Sequence, residues 1–411
     1  MDTQKLKTTC CIAGGGPAGM MLGFLLARAG VNVLVLEKHV DFLRDFRGDT
    51  IHPSTLQLMH ELGVLEKFLQ RPHQEVRELR AYIGGTEVII GDFSHLPTVC
   101  RFVALMPQWD FLNFIAEEAK AYPGFQLKMK WEAIGLIEQE NRILGVRVRT
   151  QEGDFEVTAD LVVAADGRGS ILRKCAQLEP TTFGAPMDVL WMRLSKKPGD
   201  PGQVFGRIES GHFIVLLDRG DYWQCAFVIP KGALDEIRAN GLENFRKTIE
   251  TTVPFLEGRG KEIQSWDDVK LLTVMVDRLP TWYRPGLLCI GDAAHAMSPI
   301  GGVGINLAIQ DAVAAANLLW KPLKERTLNI EDLEKVQKRR EFPTRMTQKL
   351  QIFLQNRFVS RILENKNEPL KVPLFAKLLN RFPLLRRIPA RLVGIGFRPE
   401  HIKNSDFRMG N

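Results

Sequence analysis

The chain lacks the features that mark disulfide-rich or metal-binding proteins. Its 411 residues include only six cysteines, which are scattered, with no C-x-x-C pair and no metal-ligand spacing. Its eight histidines show no paired spacing either. We therefore predict no metal site, and we expect buried thiols in a reducing, cytoplasmic setting.

Long apolar runs, repeats and low-complexity segments are also missing. No secretory h-region precedes the first glycine-rich turn, and no apolar stretch reaches the length of a membrane span. Hydrophobic residues make up 45% of the chain and charged residues 25%, which is ordinary for a soluble globular protein. The length exceeds that of a usual single core, so about two or three subdomains are expected.

Acidic residues become scarce towards the C-terminus. From Lys321 onward, 21 Lys and Arg stand against 9 Asp and Glu, a net charge of +12, whereas the preceding residues hold 34 against 39, a net of −5. No recognisable nucleic-acid-binding module is present, so we expect no nucleic-acid partner. Apolar and basic residues interleave over 374–392. This segment is either a helical cap on the main domain, which we favour, or a peripheral contact with an anionic membrane surface.

A dinucleotide-binding pattern is present at the N-terminus. An apolar run ends in a G-x-G-x-x-G turn at Gly14, Gly16 and Gly19, and a second apolar run over 31–36 ends at Glu37. These glycines permit a tight turn, close approach of backbone N–H groups to a pyrophosphate, and close packing of the following helix. Glu37 can accept hydrogen bonds from ribose hydroxyls.

The middle of the chain changes from α/β to β patterning. A hairpin is predicted over 76–93, around Gly84 and Gly85, and helices over 53–62 and 108–121. Further strands are predicted over 189–194, 203–208, 212–217 and 223–229. A buried strand at 287–290 and a long helix over 304–320 follow. The order predicts an antiparallel sheet inserted into an α/β framework.

Two more segments point to the same ligand as the glycine turn. They are A-A-D-G at 164–167 and G-D-A-A-H-A-M-S-P-I-G-G-V-G-I-N at 291–306. With residues 14–37 they closely resemble the FAD fingerprints of class A flavoprotein monooxygenases, the para-hydroxybenzoate hydroxylase type. Within that family the chain is most similar to the ubiquinone-biosynthesis hydroxylases. The resemblance covers roughly residues 8–320 in order and spacing.

The resemblance implies a discontinuous architecture of the α/β class. A Rossmann-like FAD-binding domain would comprise residues 1–75, 106–175 and 280–320. An inserted substrate domain, built on an antiparallel β-sheet, would comprise 76–105 and 176–279. A helical, basic C-terminal region would follow over 321–411.

The resemblance also implies which residues bind the cofactor. These positions are Gly14, Gly16, Pro17, Ala18, Gly19, Glu37, Lys38, Arg47, Gln108, Asp166, Asp292, Pro299, Gly302, Gly304, Ile305 and Asn306. Asp166 could instead cap a turn, and Asp292 could instead be a helix N-cap. The long helix would direct its N-terminal dipole at the flavin.

The implied reaction is monooxygenation of an aromatic or lipophilic ring. NADPH or NADH would reduce FAD, O₂ would add at flavin C4a, and the resulting hydroperoxide would transfer one oxygen atom to the ring. Only one complete G-x-G-x-x-G unit is present, so the nicotinamide donor would bind transiently. The W-x-W-x-I-P signature of flavin halogenases is missing.

Substrate and catalytic residues are less constrained by the sequence. The inserted sheet is the expected wall of an apolar cavity, with Trp191 and Phe213 as candidate substrate contacts. Strand alternation places Tyr222 and Gln224 on one face, and we favour that pair because a hydroxyl and an amide could orient a phenol. Tyr222 and His295 are the only catalytic candidates, and the resemblance implies that a histidine at position 295 is more often a packing and hydrogen-bonding residue.

Two other functions remain open at this point. One is an FAD-dependent reductase or epoxidase of a polyprenyl or olefinic substrate on the same framework. The other is a non-catalytic FAD-holding chain whose basic C-terminal region docks to a membrane or a partner.

Overall fold

The fold is seen in a computed structural model that describes residues 4–43, 50–202, 205–364 and 370–403. Within these residues the strands are β1 (Gln4–Ala13), β2 (Val33–Glu37), β3 (Thr50–Ile51), β4 (Gln74–Val76), β5 (Glu78–Ile83), β6 (Thr86–Asp92), β7 (Val103–Leu105), β8 (Phe125–Met129), β9 (Glu132–Gln139), β10 (Arg142–Thr150), β11 (Gly153–Ala164), β12 (Thr181–Thr182), β13 (Met187–Ser195), β14 (Phe205–Glu209), β15 (His212–Asp218), β16 (Tyr222–Pro230), β17 (Lys270–Leu272), β18 (Asp277–Arg278), β19 (Tyr283–Arg284), β20 (Leu287–Cys289) and β21 (His295–Ala296).

The helices alternate with these strands in the first half and dominate the C-terminal part. The α-helices are α1 (Pro17–Arg28), α2 (Pro53–Glu61), α3 (Leu65–Leu69), α4 (Gln108–Ala119), α5 (Ile171–Cys175), α6 (Leu234–Ala239), α7 (Leu242–Thr252), α8 (Val303–Glu325), α9 (Ile330–Leu354), α10 (Ser360–Glu364), α11 (Leu374–Arg381) and α12 (Arg387–Gly394). A π-helical turn, Gln355–Val359, joins α9 to α10.

A mostly parallel sheet forms the framework, in the order β19-β20-β11-β1-β2-β8. Ile12 pairs with Val35 on one side and with Val163 on the other, both in parallel register. These strands read as continuous apolar runs because α1 and α8 cover the sheet and bury its residues. The predicted Rossmann-like α/β fold is confirmed.

The second sheet has the order β17-β13-β16-β15-β14-β5-β6 and is antiparallel except for the β14–β5 pair. The predicted hairpin over 76–93 therefore extends the same sheet as the strands between 187 and 230. One face of β16 packs on α7, where Trp223, Cys225 and Phe245 share a buried cluster. The opposite face is available to form a cavity wall. The exact domain boundaries remain a prediction.

One helix contradicts the expectation that no segment reaches membrane-spanning length. Helix α8 together with the short turn before it, residues 300–325, is long and apolar enough to span a membrane by length and composition, with a mean hydropathy of 1.3 over an 18-residue window. However, 72% of that window is buried inside the fold. The helix is apolar because it is the central core helix, packed between α1 and α9.

The C-terminal region packs back on the rest of the chain. Its helix α11 buries Ala376 against Ile83 and Val88 of the hairpin, as expected for a cap. Further along, Ile402 N–H donates to a carboxylate oxygen of Glu61, at 2.8 Å. The C-terminal segment is therefore held on both the inserted sheet and the parallel-sheet domain.

Candidate active site

A cavity of about 1590 Å³ lies between the parallel sheet and the inserted sheet. Strands β1, β2, β11 and β20 run parallel, so the segments that follow them meet at one edge of the sheet. Those segments are the glycine turn, Glu37 with its neighbours, the A-A-D-G segment and the G-D segment. Residues of all four line the cavity.

The glycine turn fits a pyrophosphate. Gly14 has φ +109°, and a Cβ atom there would lie 2.3 Å from the carbonyl oxygen of Ala165. Helix α1 begins at Pro17 with Gly16 as N-cap and no side-chain cap. Gly16, Pro17 and Ala18 line the cavity, and nothing lies within 4 Å of a Cβ position on Gly16, so there is room for a diphosphate at this uncapped helix N-terminus.

Gly19 has a different role from the one implied by the resemblance. It does not line the cavity, and a Cβ atom there would lie 2.0 Å from the carbonyl oxygen of Gly14. Its lack of a side chain lets α1 pack against the end of β1. We therefore correct its assignment from pyrophosphate contact to helix packing.

Substitutions at two glycines of the turn should have different effects on stability and on FAD binding. Gly14→Ala should lower the free energy of unfolding by about 2 kcal/mol and reduce FAD content, because a positive φ and a backbone clash coincide there. Gly16→Ala should leave the FAD-free protein as stable as wild type and weaken only FAD binding. Thermal unfolding with flavin titration measures both effects. Gly135→Ala, where nothing lies within 4 Å, is the neutral control.

Glu37 is the last residue of β2, and backbone N–H groups of nearby residues hold its carboxylate in place. Its carboxylate accepts hydrogen bonds from the N–H groups of Gly15 and His39, each at 3.0 Å. The side chain is buried at 8% exposure and still lines the cavity, as Lys38 beside it does. Glu37 thus orders the glycine turn and presents a carboxylate at the position expected for the ribose.

Asp166 caps a turn with one carboxylate oxygen, and its other oxygen has no hydrogen-bond partner among the described residues. One oxygen, Oδ2, accepts from Ile171 N–H at 2.8 Å and so caps the turn into α5. The other, Oδ1, is buried on the cavity side without a hydrogen-bond partner among the described residues. Burial raises the pKa of this carboxyl group. A buried acceptor of this kind fits a hydroxyl donor on a bound FAD.

Asp292 lies in the segment that follows β20, lines the cavity, and forms an ion pair with Arg168 at 3.6 Å. The backbone of the preceding residue is held in place, because Gly291 N–H donates to Asp311 Oδ2 at 3.1 Å. Asp311 also receives hydrogen bonds from His295 Nε2, at 2.6 Å, and Arg340 Nε, at 2.9 Å. This buried network links the segment to α8 and α9.

His295 belongs to that network and not to the cavity. It is 1% exposed, packs against Trp282 with 4.9 Å between ring centroids, and is absent from the cavity lining. Its assignment as a catalytic candidate is therefore corrected to that of a packing and hydrogen-bonding residue.

The N-terminus of α8 faces the cavity, as the resemblance implies. Pro299, Gly302, Gly304 and Ile305 all line it, and the helix begins at Val303 without a side-chain cap. Its N–H groups and dipole can therefore stabilise negative charge on a bound flavin. Gln108, the first residue of α4, lines the cavity too, whereas Arg47 falls outside the described residues.

Asn306 is corrected in the same way as Gly19. Its Oδ1 accepts from His52 N–H and from Thr55 Oγ1, each at 2.8 Å, and its Nδ2 donates to the carbonyl oxygen of Thr50 at 2.8 Å. These bonds use the amide fully and keep it out of the cavity lining. Asn306 positions α8 against α2.

The inserted sheet supplies an apolar wall, as predicted. Trp191 and Phe213 line the cavity, together with Val215, Ala226 and Val228. Tyr222 and Gln224 do not line it, although they share a strand face with Ala226. They lie at the beginning of β16, where the Arg193 guanidinium stacks 4.9 Å from the Tyr222 ring and Gln224 accepts from Arg219. Their assignment as substrate contacts is corrected because neither side chain lines the cavity.

Sequence reasoning missed three residues that shape the site. His52 lines the cavity, Arg168 pairs with Asp292, and Asp311 holds the G-D segment in place. The sequence could have identified Asp311, because a lone acid in an apolar helix needs buried partners. Arg168 directly follows the A-A-D-G motif. Nothing in the sequence around His52 indicated a position in the site.

His52 makes the fold sensitive to acid. Its Nδ1–H donates to the carbonyl oxygen of Val393, at 2.8 Å, and burial lowers its pKa from 6.5 to about 4. The unfolded chain therefore takes up a proton first, so stability is complete above pH 6.5 and falls as the pH drops towards 4. The loss should be about 3 kcal/mol. His52→Gln should remove this part of the pH dependence in urea titrations, whereas exposed His60→Gln should not.

The sequence matches the family described as FAD binding domain over residues 7–349. The chain belongs to this family. It is 31% identical over 405 residues to 6-methylpretetramide 4-monooxygenase of Streptomyces rimosus, covering 98% of this chain and 96% of that protein. It is 28% identical to 12-dehydrotetracycline 5-monooxygenase/anhydrotetracycline 6-monooxygenase of the same species, covering 75% of this chain and 61% of that protein.

Solved structures agree on the fold of this FAD-binding family. PqsL, a probable FAD-dependent monooxygenase from Pseudomonas aeruginosa, matches with a TM-score of 0.71 at 20% identity, covering 87% of this chain and 97% of that one. Anhydrotetracycline hydroxylase from Streptomyces rimosus matches with a TM-score of 0.71 at 21% identity, covering 95% of this chain and 76% of that one.

The resemblance to class A flavoprotein monooxygenases is thus confirmed. The protein is an FAD-dependent monooxygenase that hydroxylates a ring substrate. The reductase or epoxidase alternative is not favoured, and the non-catalytic alternative is not supported, because these relatives are monooxygenases.

Proposed function

We propose that this monooxygenase hydroxylates a large, fused-ring aromatic substrate. The observation that carries the proposal is the size and lining of the cavity. At about 1590 Å³ it exceeds the range of about 300–1,000 Å³ that is usual for small-ligand sites. A cavity of this size has room for the flavin together with a multi-ring substrate.

The cavity wall suits a flat, lipophilic molecule. Trp191, Val215 and Ala226 are neighbours across β13, β16 and β15, in register on one face. Leu272 and Val274 continue this apolar wall along the cavity. Such a surface offers stacking and dispersion contacts to aromatic rings without directional hydrogen bonds.

The residues around the cofactor position have separate tasks. Bound FAD would supply the redox and oxygen chemistry. The glycine turn and Glu37 would bind its diphosphate and ribose end, and the N-terminus of α8 would stabilise negative charge at its flavin end. The apolar wall would hold the substrate ring in place and exclude water.

The substrates named for two relatives support the fused-ring proposal. One relative is a monooxygenase of 6-methylpretetramide and the other of anhydrotetracycline. The first of them matches nearly the full length of this chain. We infer that the substrate here belongs to a similar class of polycyclic phenols.

The test is a screen for compounds that accelerate reduction of the bound flavin by NADPH and, separately, by NADH. We expect fused-ring phenols to accelerate reduction and to be hydroxylated. Monocyclic phenols and polyprenyl quinols serve as comparison classes. Acceleration and hydroxylation confined to monocyclic phenols would contradict the proposal. Turnover without O₂ would instead favour a reductase.

We also propose a reducing, cytoplasmic location for the enzyme. Every cysteine in the described part of the chain is a free thiol, and five of the six are buried. Burial raises the pKa of Cys11 to about 12, which keeps that thiol protonated and unreactive. Peripheral contact with a membrane would be compatible with this location.

A further inference from the structure

The C-terminal segment carries an exposed surface of large apolar and basic side chains. We name it the apolar–basic surface and define it as residues 371–391. Its most exposed apolar residues are Leu374, Leu384 and Ile388, at 73%, 67% and 59% exposure. Its exposed basic residues are Lys371, Lys377, Arg381, Arg387 and Arg391. No Asp or Glu occurs anywhere from residue 369 to 399.

The apolar–basic surface is the outer side of the C-terminal segment. The inner side of that segment packs on the rest of the fold. Ala376 and Leu379 are buried under α11, and Ala390 under α12. Asn380 Nδ2 donates to the carbonyl oxygen of Glu87, at 2.7 Å, which fixes the segment along β6. The exposed apolar side chains therefore cannot turn inward without breaking these contacts.

The surface is continuous with the active-site cavity. Phe375 lines the cavity and contacts Phe358, another lining residue, with 5.0 Å between ring centroids. Phe358 in turn contacts exposed Phe353 at 6.3 Å. Lys371 and Leu379 line the cavity as well. A molecule leaving the cavity on this side would thus reach the apolar–basic surface.

We propose that the apolar–basic surface binds an anionic lipid bilayer. Exposed apolar side chains that alternate with basic ones match an interface in which acyl chains lie beneath negatively charged headgroups. Seven large apolar side chains exposed between residues 374 and 388 are otherwise unfavourable in water. A second copy of the chain is a poorer occupant, since two such surfaces face to face would oppose their basic residues.

Lipid binding at this position would bring the cavity next to the bilayer. A lipophilic ring compound could then pass from the membrane into the cavity without crossing water. This delivery role rests on the proposed function, whereas lipid binding itself does not.

The test uses the full-length, FAD-loaded protein and vesicle co-sedimentation. We expect binding to phosphatidylcholine vesicles that contain phosphatidylglycerol, weak binding to phosphatidylcholine alone, and release at high ionic strength. Lys377→Gln/Arg381→Gln/Arg387→Gln should weaken partitioning on the order of 100-fold. Leu374→Ser/Leu384→Ser/Ile388→Ser should weaken it at least tenfold, by about 1.4 kcal/mol or more.

Two control variants show whether vesicle binding depends on this surface or on the overall charge and hydrophobicity of the protein. Lys120→Gln/Lys247→Gln/Lys261→Gln removes the same charge elsewhere, and Val99→Ser/Ile330→Ser removes exposed apolar side chains elsewhere. Both should bind vesicles like wild type. FAD content and thermal unfolding confirm that each variant is folded.

Three results would overturn the proposal. They are no binding to anionic vesicles, equal loss of binding in the control variants, and a wild-type dimer that the surface variants convert to monomer. The assay needs no substrate, so its failure would leave the fused-ring hydroxylase proposal intact. Conversely, failure of the substrate screen would not affect the proposal that this surface binds lipid.

Discussion

Asp311→Ala should lower the free energy of unfolding by about 3–5 kcal/mol and cause loss of FAD, because it leaves buried donors without their acceptor. Asp311 is fully buried and accepts from Gly291 N–H, His295 and Arg340. Burial alone would raise its pKa, but His295 and Arg340 outweigh that effect and hold the pKa below the usual value. The carboxylate therefore stays charged within the fold.

The loss of FAD follows from the position of the network. Gly291 precedes Asp292, so a backbone released from Asp311 would let the cavity-lining carboxylate move. Urea unfolding and flavin content measure the two effects. Glu334→Ala, which breaks a surface pair with Lys338, should change stability by less than about 1 kcal/mol. Wild-type stability in the Asp311 variant would show that the network contributes little.

Ala226→Trp should lower kcat/KM for a fused-ring substrate by roughly 100-fold or more while FAD content remains normal. Ala226 lies at the centre of the cavity wall, paired with Trp191 on β13 and Val215 on β15. An added indole would occupy the space proposed for the substrate rings. Ala226 belongs to the inserted sheet and is not one of the residues expected to hold FAD, so cofactor binding should be preserved.

Steady-state kinetics and flavin titration together test this second prediction. Lys247→Trp places the same side chain at an exposed position of α7, outside the cavity lining, and should retain wild-type kcat/KM. Smaller phenols should be less affected by the Ala226 substitution than fused-ring phenols. If the substitution reduces activity towards all ring sizes equally, or not at all, the substrate does not occupy this wall.

The framework and the cofactor side of the site could be predicted because their signals are local. The glycine turn, Glu37 and the A-A-D-G segment each follow a buried strand, and parallel strands bring their ends together. Strand alternation likewise separated the two faces of β16, although it did not decide which of them lines the cavity. Each of these inferences needs only chain direction and side-chain periodicity.

The corrected residues depended on neighbours that are remote in sequence. Asn306 bonds to residues about 250 positions away, and His295 contacts Arg340 only through Asp311. Whether such polar groups face a ligand or each other is decided by tertiary packing. Tyr222 and Gln224 were misplaced because periodicity gives the face of a strand and not how far the cavity extends along it.

The C-terminal region was the least predictable part. Its composition is compatible with both a cap and a membrane-facing segment; the structure shows one side packed on the sheet and an exposed apolar and basic side, for which membrane contact is our proposal. Ala376 packs inward, while Leu374 and Lys377 point to solvent. Amphipathicity alone does not specify whether the polar or the apolar residues remain exposed, because that depends on which surface the segment meets.

We propose that residues from the parallel sheet and the inserted sheet jointly present a ring substrate to FAD for oxygen transfer. The most direct measurement supplies the FAD-loaded enzyme with NAD(P)H, a fused-ring phenol and isotopically labelled dioxygen. We predict a product that carries one labelled oxygen atom on the ring, formed only while both the substrate and dioxygen are present. An unlabelled product, or continued turnover without dioxygen, would contradict the claim.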